Sequence, residues 1–470
     1  MYVAVAALLT LVLFVPQVRL YRDEQPRADV IAQLRFLRAE LASGLGEKMQ
    51  GMFPEGYFFS HVLYGLAWAD IARGDTTYRD EALREARWAL ERLGSPSARA
   101  VFDARLRPAY GVFYVGWSSR LRGDVIELAG AGAPETAQFI ADCEGLAVAF
   151  GMDGPFLAAY PGQAWPVDSV VAVSALKLHD RILGPRFEPV IADWLISARS
   201  RLDPATGLLP HQATPVGEGA RGSSQSMIQR FLPEIDPAWA GQQYSTFRRL
   251  FIDTPLGLPG VREYPHGHSG AGDVDSGPLI LGISASASVV TIGAARVHGD
   301  RSLSGPLTGL GESVGVPVTF GNSKRYAFGA LPIGDVFLAW AFAVPLATTA
   351  TSFPPVVQWW WRVAWHALTL TVLTLLWFPI VADSFGACAR VGAAPLPSAI
   401  RQADPSGDPD TRAAHLLEST SFASCRGRLF PGPSCTTATT PGRPVAEMTP
   451  LSAVSPVSPA GPDHRIRQPS

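Results

Sequence analysis

Two carboxylates stand two residues apart in Gly272-Asp273-Val274-Asp275-Ser276-Gly277, where the flanking glycines mark a loop. General acid and base catalysis needs one carboxyl kept protonated and another kept ionised, and an aromatic wall beside the first desolvates it and separates the two. Asp168 has such walls. It follows Tyr160 and Trp165 and opens a run, Val167 to Leu176, that is apolar or small on every side. Glu55 lies in a similar setting between Phe53 and Tyr57, ahead of another apolar run. Asp168, Asp273, Asp275 and Glu55 are therefore the candidate catalytic groups. A plainer role stays open to them, because a polar residue at a helix start satisfies the free amides there. For the helix at 167, Asp168 or Ser169 would be that cap.

The residues expected to line a substrate site with them are Tyr57, Tyr110, Tyr114, Trp117, Tyr160, Trp165, Ser223, Gln225, Glu263, Tyr264 and Tyr326, each of which is otherwise ordinary core or cap. Metal chemistry is not expected. His266 and His268 share a Gly-rich loop with no third ligand at helical spacing, which reads as loop function. Of the four cysteines, Cys143 falls in the body and Cys388, Cys425 and Cys435 in a tail, with none of the paired spacings of zinc or redox sites.

Helices must position these groups. Val167 to Leu176 has no charged side for water, so it belongs inside a shell of other helices. The same contrast recurs roughly every 50 residues, as in helical-hairpin arrays. Apolar inner segments are Phe58 to Ile71, Tyr110 to Leu121 (ending near Gly123-Asp124), the stretch through Asp168, Ser223 to Ile235, Pro278 to His298 and Tyr326 to Val344. Amphipathic or charged partners are Arg27 to Leu45, Tyr78 to Leu93, Pro134 to Phe150, Phe187 to Leu202 and Ala238 to Ile252, with a loop near Gly311. The pattern predicts an all-α (α/α)6 toroid over 27–350, with an open helical solenoid as the alternative. Strands are expected only as short loop pairings. In a toroid the inner-helix starts converge at one end, which is what brings the candidate residues together.

With 470 residues, 47% hydrophobic and 17% charged, the chain can bury a large core. A net charge of −2 with scattered Lys and Arg excludes an electrostatic footprint for nucleic acid. Tyr2 to Val18 is apolar and ends at Arg19, and Val363 to Val381 is apolar behind Trp359, Trp360, Trp361 and Arg362. Both read as membrane helices, over 1–20 (or as a signal anchor) and 356–382. Arg19, Arg22, Arg27, Arg35 and Arg38 after the first segment place the body in the cytoplasm if read literally. A start codon called too late reverses that, and an extracytoplasmic body is the expectation carried forward. Residues 388–470 lose periodicity and aromatics and read as a disordered tail.

Three pieces resemble the linalool dehydratase/isomerase family: Asp29-Val30-Ile31-Ala32-Gln33-Leu34; Asp168-Ser169-Val170 through His179-Asp180-Arg181-Ile182; and Asp236-Pro237-Ala238-Trp239 through Val261-Arg262-Glu263 to Asp273-Val274-Asp275-Ser276-Gly277. The resemblance implies an (α/α)6 enzyme, independent of cofactors, acting on a neutral alcohol-type substrate by acid/base lyase or isomerase chemistry. It also shows departures. Where the family has a pair of cysteines this chain has Ala159 and Asp168, its tyrosine corresponds to Ser223, and its histidine falls near Ala109 or Tyr110. Two other readings stand beside it: a glycan-acting enzyme, since two carboxylates with Trp and Tyr platforms suit sugars, and a non-enzymatic binder of lipid or glycan.

Overall fold

The computed structural model describes residues 2–348, 353–355 and 357–392. The protein is all-α. In chain order the helices are α1 (Tyr2–Arg19), α2 (Arg27–Ala42), α3 (Leu45–Gln50), α4 (Gly56–Gly74), α5 (Arg79–Leu93), α6 (Pro96–Arg99), α7 (Gly111–Ala129), α8 (Thr136–Asp153), α9 (Pro166–Leu183), α10 (Glu188–Arg199), α11 (Gly222–Ile235), α12 (Pro237–Phe251), α13 (Ala285–Val297), α14 (Arg301–Val314), α15 (Pro332–Ala343) and α16 (Trp361–Gly392). Strand is confined to loop pairings: β1 (Ile252–Asp253), β2 (Gly260–Arg262) and β3 (Ile283–Ser284) form one antiparallel sheet, and β4 (Val318–Phe320) and β5 (Ser323–Arg325) a hairpin.

Six helices pack in cyclic order. Helix α4 lies on α7, α7 on α9, α9 on α11, α11 on α13, α13 on α15, and α15 returns to α4. Outside them, α5 covers α4 and α7, α8 covers α7 and α9, α10 covers α9, α12 covers α11, and α14 covers α13, while α2 lies on α15 and α4. The sequence explains the two roles. In α9 every residue from Pro166 to Leu176 is buried, whereas α5 buries only Ala82, Ala86, Ala89 and Leu93, one stripe at helical spacing.

Several boundaries differ from expectation for physical reasons. Helix α7 does not end at Gly123-Asp124, because Asp124 is fully buried between Arg73 and Arg120 and so belongs to the helix interior. Helix α13 starts at Ala285 rather than Pro278, since Ser284 accepts a hydrogen bond from the Ala287 amide at 3.1 Å and caps it. Helix α15 starts at Pro332, leaving Tyr326 outside. Gly311 lies in helix α14, not in a loop. Gly305, Pro306, Gly309 and Gly311 hide that helix in the sequence, yet Gly309 is where the backbone after α1 crosses: a Cβ there would stand 2.5 Å from the Leu20 carbonyl oxygen.

Both expected membrane segments are helical, as α1 and α16, but among the described residues no helix is long and apolar enough to cross a membrane. The expectation of spanning helices at 1–20 and 356–382 is corrected accordingly. Helix α1 closes on Pro16, Gln17 and Arg19, and α16 carries Arg362, His366 and Pro379 before reaching Asp383. Helix α16 also runs to Gly392, past the expected start of the tail, and 393–470 lie outside the described residues.

The start of α7 is pinned by close backbone approach. Gly111 has φ of +79°, its Cβ would lie 2.4 Å from the Ala159 carbonyl oxygen, and the next amide, Val112, donates to Ala158 at 3.0 Å. Gly111→Ala should lower stability by about 2–3 kcal/mol through left-handed strain and overpacking together. Urea unfolding would report this as a reduced midpoint at unchanged slope.

Candidate functional site

Helix α9 begins at Trp165 with no side-chain cap, and Pro166 follows in the first turn. Neither candidate cap acts as one. Ser169 Oγ accepts from the Leu157 amide at 3.0 Å and fixes the preceding loop, while Asp168 Oδ1 accepts from Trp117 Nε1 on α7 at 3.1 Å. Asp168 is 3% exposed. Burial pushes its carboxyl up to about 8; the Trp117 indole opposes this and the negative charges of Asp275 and Glu55 add to it. Three carboxylates from distant parts of the chain therefore share one electrostatic environment.

Tyr160 ties them together. Its hydroxyl donates to Glu55, its ring stacks on Phe102 at 5.9 Å and meets Trp165 edge-on at 5.9 Å. Burial first, then Glu55, Asp168 and Asp275, raise this phenol, so it stays a donor. Beneath lies an aromatic interior drawn from four of the six cyclic helices: Phe59, Trp117, Phe231, Phe337 and Trp340, with Trp117 between 5.4 and 6.1 Å from Phe59, Phe231 and Trp340.

Asp273 and Asp275 have separate roles. Asp273 Oδ1 accepts from the amides of Asp275 at 3.1 Å and Ser276 at 3.0 Å, and its Oδ2 lies 2.6 Å from Arg221 Nη2, an ion pair without hydrogen-bond alignment. Burial works against ionisation, but the Ser276 amide and Arg221 outweigh it and hold this carboxyl below its usual range. It is a loop-holding anion. Asp275 is pushed up to about 6 by burial, with repulsion from Asp273 next and attraction to Arg221 opposing. The Asp275 side chain is nevertheless exposed, so solvent screens and weakens this effect.

Arg221 and His211 were not foreseen. Arg221 Nε donates to Glu263 Oε1 at 2.7 Å, and Ser223 binds the same carboxylate through its hydroxyl at 2.7 Å and its amide at 3.1 Å. The signal in the sequence was a basic residue directly ahead of a helix start rich in Ser and Gln, with Glu218 three residues before it. His211 Nδ1 meets Ser224 Oγ, and its Nε2 lies 3.5 Å from Arg221 Nη1. Burial and then Arg221 push this imidazole down to about 4, so it is neutral. With Arg221 a donor, Nε2 accepts and Nδ1–H donates to Ser224, which leaves the serine unactivated.

The other candidates scatter. Tyr57 packs on His61 at 4.4 Å, Tyr114 donates to the Leu93 carbonyl at 2.8 Å, and Gln225 donates to the Leu209 carbonyl at 2.7 Å. Tyr110 holds a left-handed φ of 73° under Arg99, and Tyr264 donates to the Ala271 carbonyl at 2.9 Å and so braces the Asp275 loop. Tyr326 donates to buried Glu312 beside Lys324, a cluster apart from the three carboxylates. His266 is engaged by the Ile252 carbonyl at 3.0 Å.

Compared with known proteins, the chain matches no protein-family model and none of the curated proteins.

Asp168 and Asp275 both have folded pKa values above the ordinary carboxylate range, so the folded state holds the extra protons. The contribution of buried Asp168 to stability is fully present below about pH 4 and is lost as pH rises through about 8, while that of exposed Asp275 is weakened by solvent screening. The urea midpoint should fall between pH 5 and pH 8.5, and Asp168→Asn should flatten the upper part of that fall. Equal slopes in wild type and variant would contradict the burial argument.

Proposed function

We propose that this protein is a lyase or isomerase of the linalool dehydratase/isomerase type, built on an (α/α)6 toroid and acting on a neutral, apolar alcohol without a cofactor. The cyclic packing of six inner helices inside six outer ones supports the architecture. The observation that carries the chemistry is Asp168, a buried carboxyl raised to about 8 beside the Trp117 indole and within the electrostatic influence of Asp275, itself raised to about 6. Asp168 is the acid: its proton passes to the substrate hydroxyl, the C–O bond breaks and water leaves. Asp275 is the base, taking a proton from the adjacent carbon as the double bond forms. Positive charge developing between the two steps is favoured by the faces of Trp117 and Phe59. Tyr160 and Glu55 position the hydroxyl, while Arg221, Glu263, Ser223 and Asp273 hold the loop that presents Asp275.

A saccharide substrate draws less support, because Trp117 is fully buried and offers no open platform. A purely structural role for the acids is disfavoured by Asp168, which caps nothing.

With a tertiary allylic alcohol such as linalool as probe and alkene formation followed by gas chromatography, kcat/KM should be bell-shaped between about pH 6 and pH 8, the limbs belonging to the coupled pair. Asp168→Asn should lower kcat by about 100-fold or more with far-UV circular dichroism unchanged. Activity retained in that variant would remove Asp168 from the acid role.

A further inference from the structure

The two apolar segments, more than 340 residues apart, lie side by side. Gln17 meets His366 and Thr369 while Thr10 meets Trp377, so α1 and α16 run antiparallel. Their polar groups face each other. Gln17 Nε2 donates to Thr369 Oγ1 at 2.8 Å, His366 Nδ1 donates to Gln17 Oε1 at 2.7 Å, Tyr21 Oη donates to His366 Nε2 at 2.7 Å, and Trp377 Nε1 donates to Thr10 Oγ1 at 2.7 Å. The large apolar side chains point the other way: Leu8, Leu11, Phe14, Leu370, Leu375 and Phe378 are each 59–70% exposed.

This is the reverse of a water-facing helix pair. In water such a surface is unfavourable and marks a contact site. In a lipid phase it is the stable arrangement, with polar groups satisfied between helices and hydrocarbon outside. Where the pair joins the body, Trp359 is 80% exposed, Tyr21 59% and Trp360 41%, a band of amphipathic rings of the kind that settles at lipid headgroups. Trp360 also packs over Gly257 in the turn between β1 and β2, and the neighbouring Leu256 is 80% exposed.

We propose that the α1/α16 pair is seated in a lipid bilayer, with Trp359, Trp360, Tyr21 and the Leu256 turn at headgroup level. The seat lies in the apolar layer beneath the headgroups and requires neither helix to reach the far side. It goes beyond the dehydratase reading and stands or falls apart from it. Sheet β1-β2-β3 carries the contact toward the Asp275 loop, because Ser284 at the end of β3 donates to the Ser276 carbonyl at 2.9 Å. The bilayer surface is thereby brought near the candidate site, where apolar substrates would be concentrated.

The full chain, mixed with vesicles of phosphatidylcholine and phosphatidylglycerol and spun on a density gradient, should float with the lipid. Brominated lipid should quench part of its tryptophan fluorescence, and Trp359→Phe/Trp360→Phe should remove the headgroup-level part of that quenching while Trp377 on α16 keeps the deeper part. Leu11→Glu/Leu375→Glu should lower partitioning on the order of a hundredfold, whereas Ile196→Glu, on the exposed face of α10, should not change it. Wild-type protein that stays at the bottom of the gradient overturns the proposal. So does a lipid-free dimer that does not float, which would assign the face to a second copy of this chain, and so does flotation of the Glu double variant equal to wild type.

Discussion

Arg73, Arg120 and Arg230 form the interaction on which the cyclic packing depends. They lie toward the C-terminal ends of α4, α7 and α11, and bind Asp70, Asp124 and Glu234 from the same three helices. Apolar burial alone can pack six helices but does not fix their register, since Val, Ala and Leu faces slide past one another at small cost. Ion pairs across helices do, because a charge left unpaired there is expensive. The cavity among these groups is about 30 Å³, close to the volume of a water molecule.

At the opposite end charge is distributed the other way. Asp124 sits between two guanidinium groups, whereas Asp168, almost as buried, has an indole N–H for its partner. A single neutral donor offsets little of the desolvation of a carboxylate. Asp168 answers by keeping its proton. Burial raises Asp124 too, with Arg120 and Arg73 opposing it, whereas for Glu234 in the same cluster burial is outweighed and Arg120 holds the carboxyl below its usual range; Asp168 differs from both in having no cation to oppose its burial.

Alternation of apolar and amphipathic segments made most of the helices legible, because a helix buried all round and a helix buried on one stripe leave different residue patterns. Helix α14 escaped since its glycines, read as breakers, are points where another backbone comes close. The convergence of Asp168, Asp275, Glu55 and Tyr160 was legible from their shared position at helix starts and loops. What separated Asp273 from Asp275 was not, for both are flanked by glycine, and the difference lies in which one Arg221 can reach. Tyr114 and Gln225 looked equally functional, yet their polar atoms are engaged by the Leu93 and Leu209 carbonyls, partners that no local pattern announces. The apolar segments at 2–18 and 363–381 were recognised by hydropathy, but that they pair with each other through Gln17, His366 and Thr369 is a tertiary fact.

Arg221 organises the loop that carries Asp275. Its guanidinium is shared by Glu263 at 2.7 Å and Asp273 at 2.6 Å; burial still raises Glu263, while Asp273 is held below its usual range and in turn grips the amides of Asp275 and Ser276. Were the same guanidinium turned toward Asp275, that carboxyl would be fixed below its usual range and the loop would lose its clamp. Placed as it is, Arg221 fixes the backbone of the loop while Asp273 pushes charge back onto Asp275. Burial is the first cause of the raised proton affinity at both Asp168 and Asp275, and the geometry at Arg221 acts second, opposing burial at Asp275 alone.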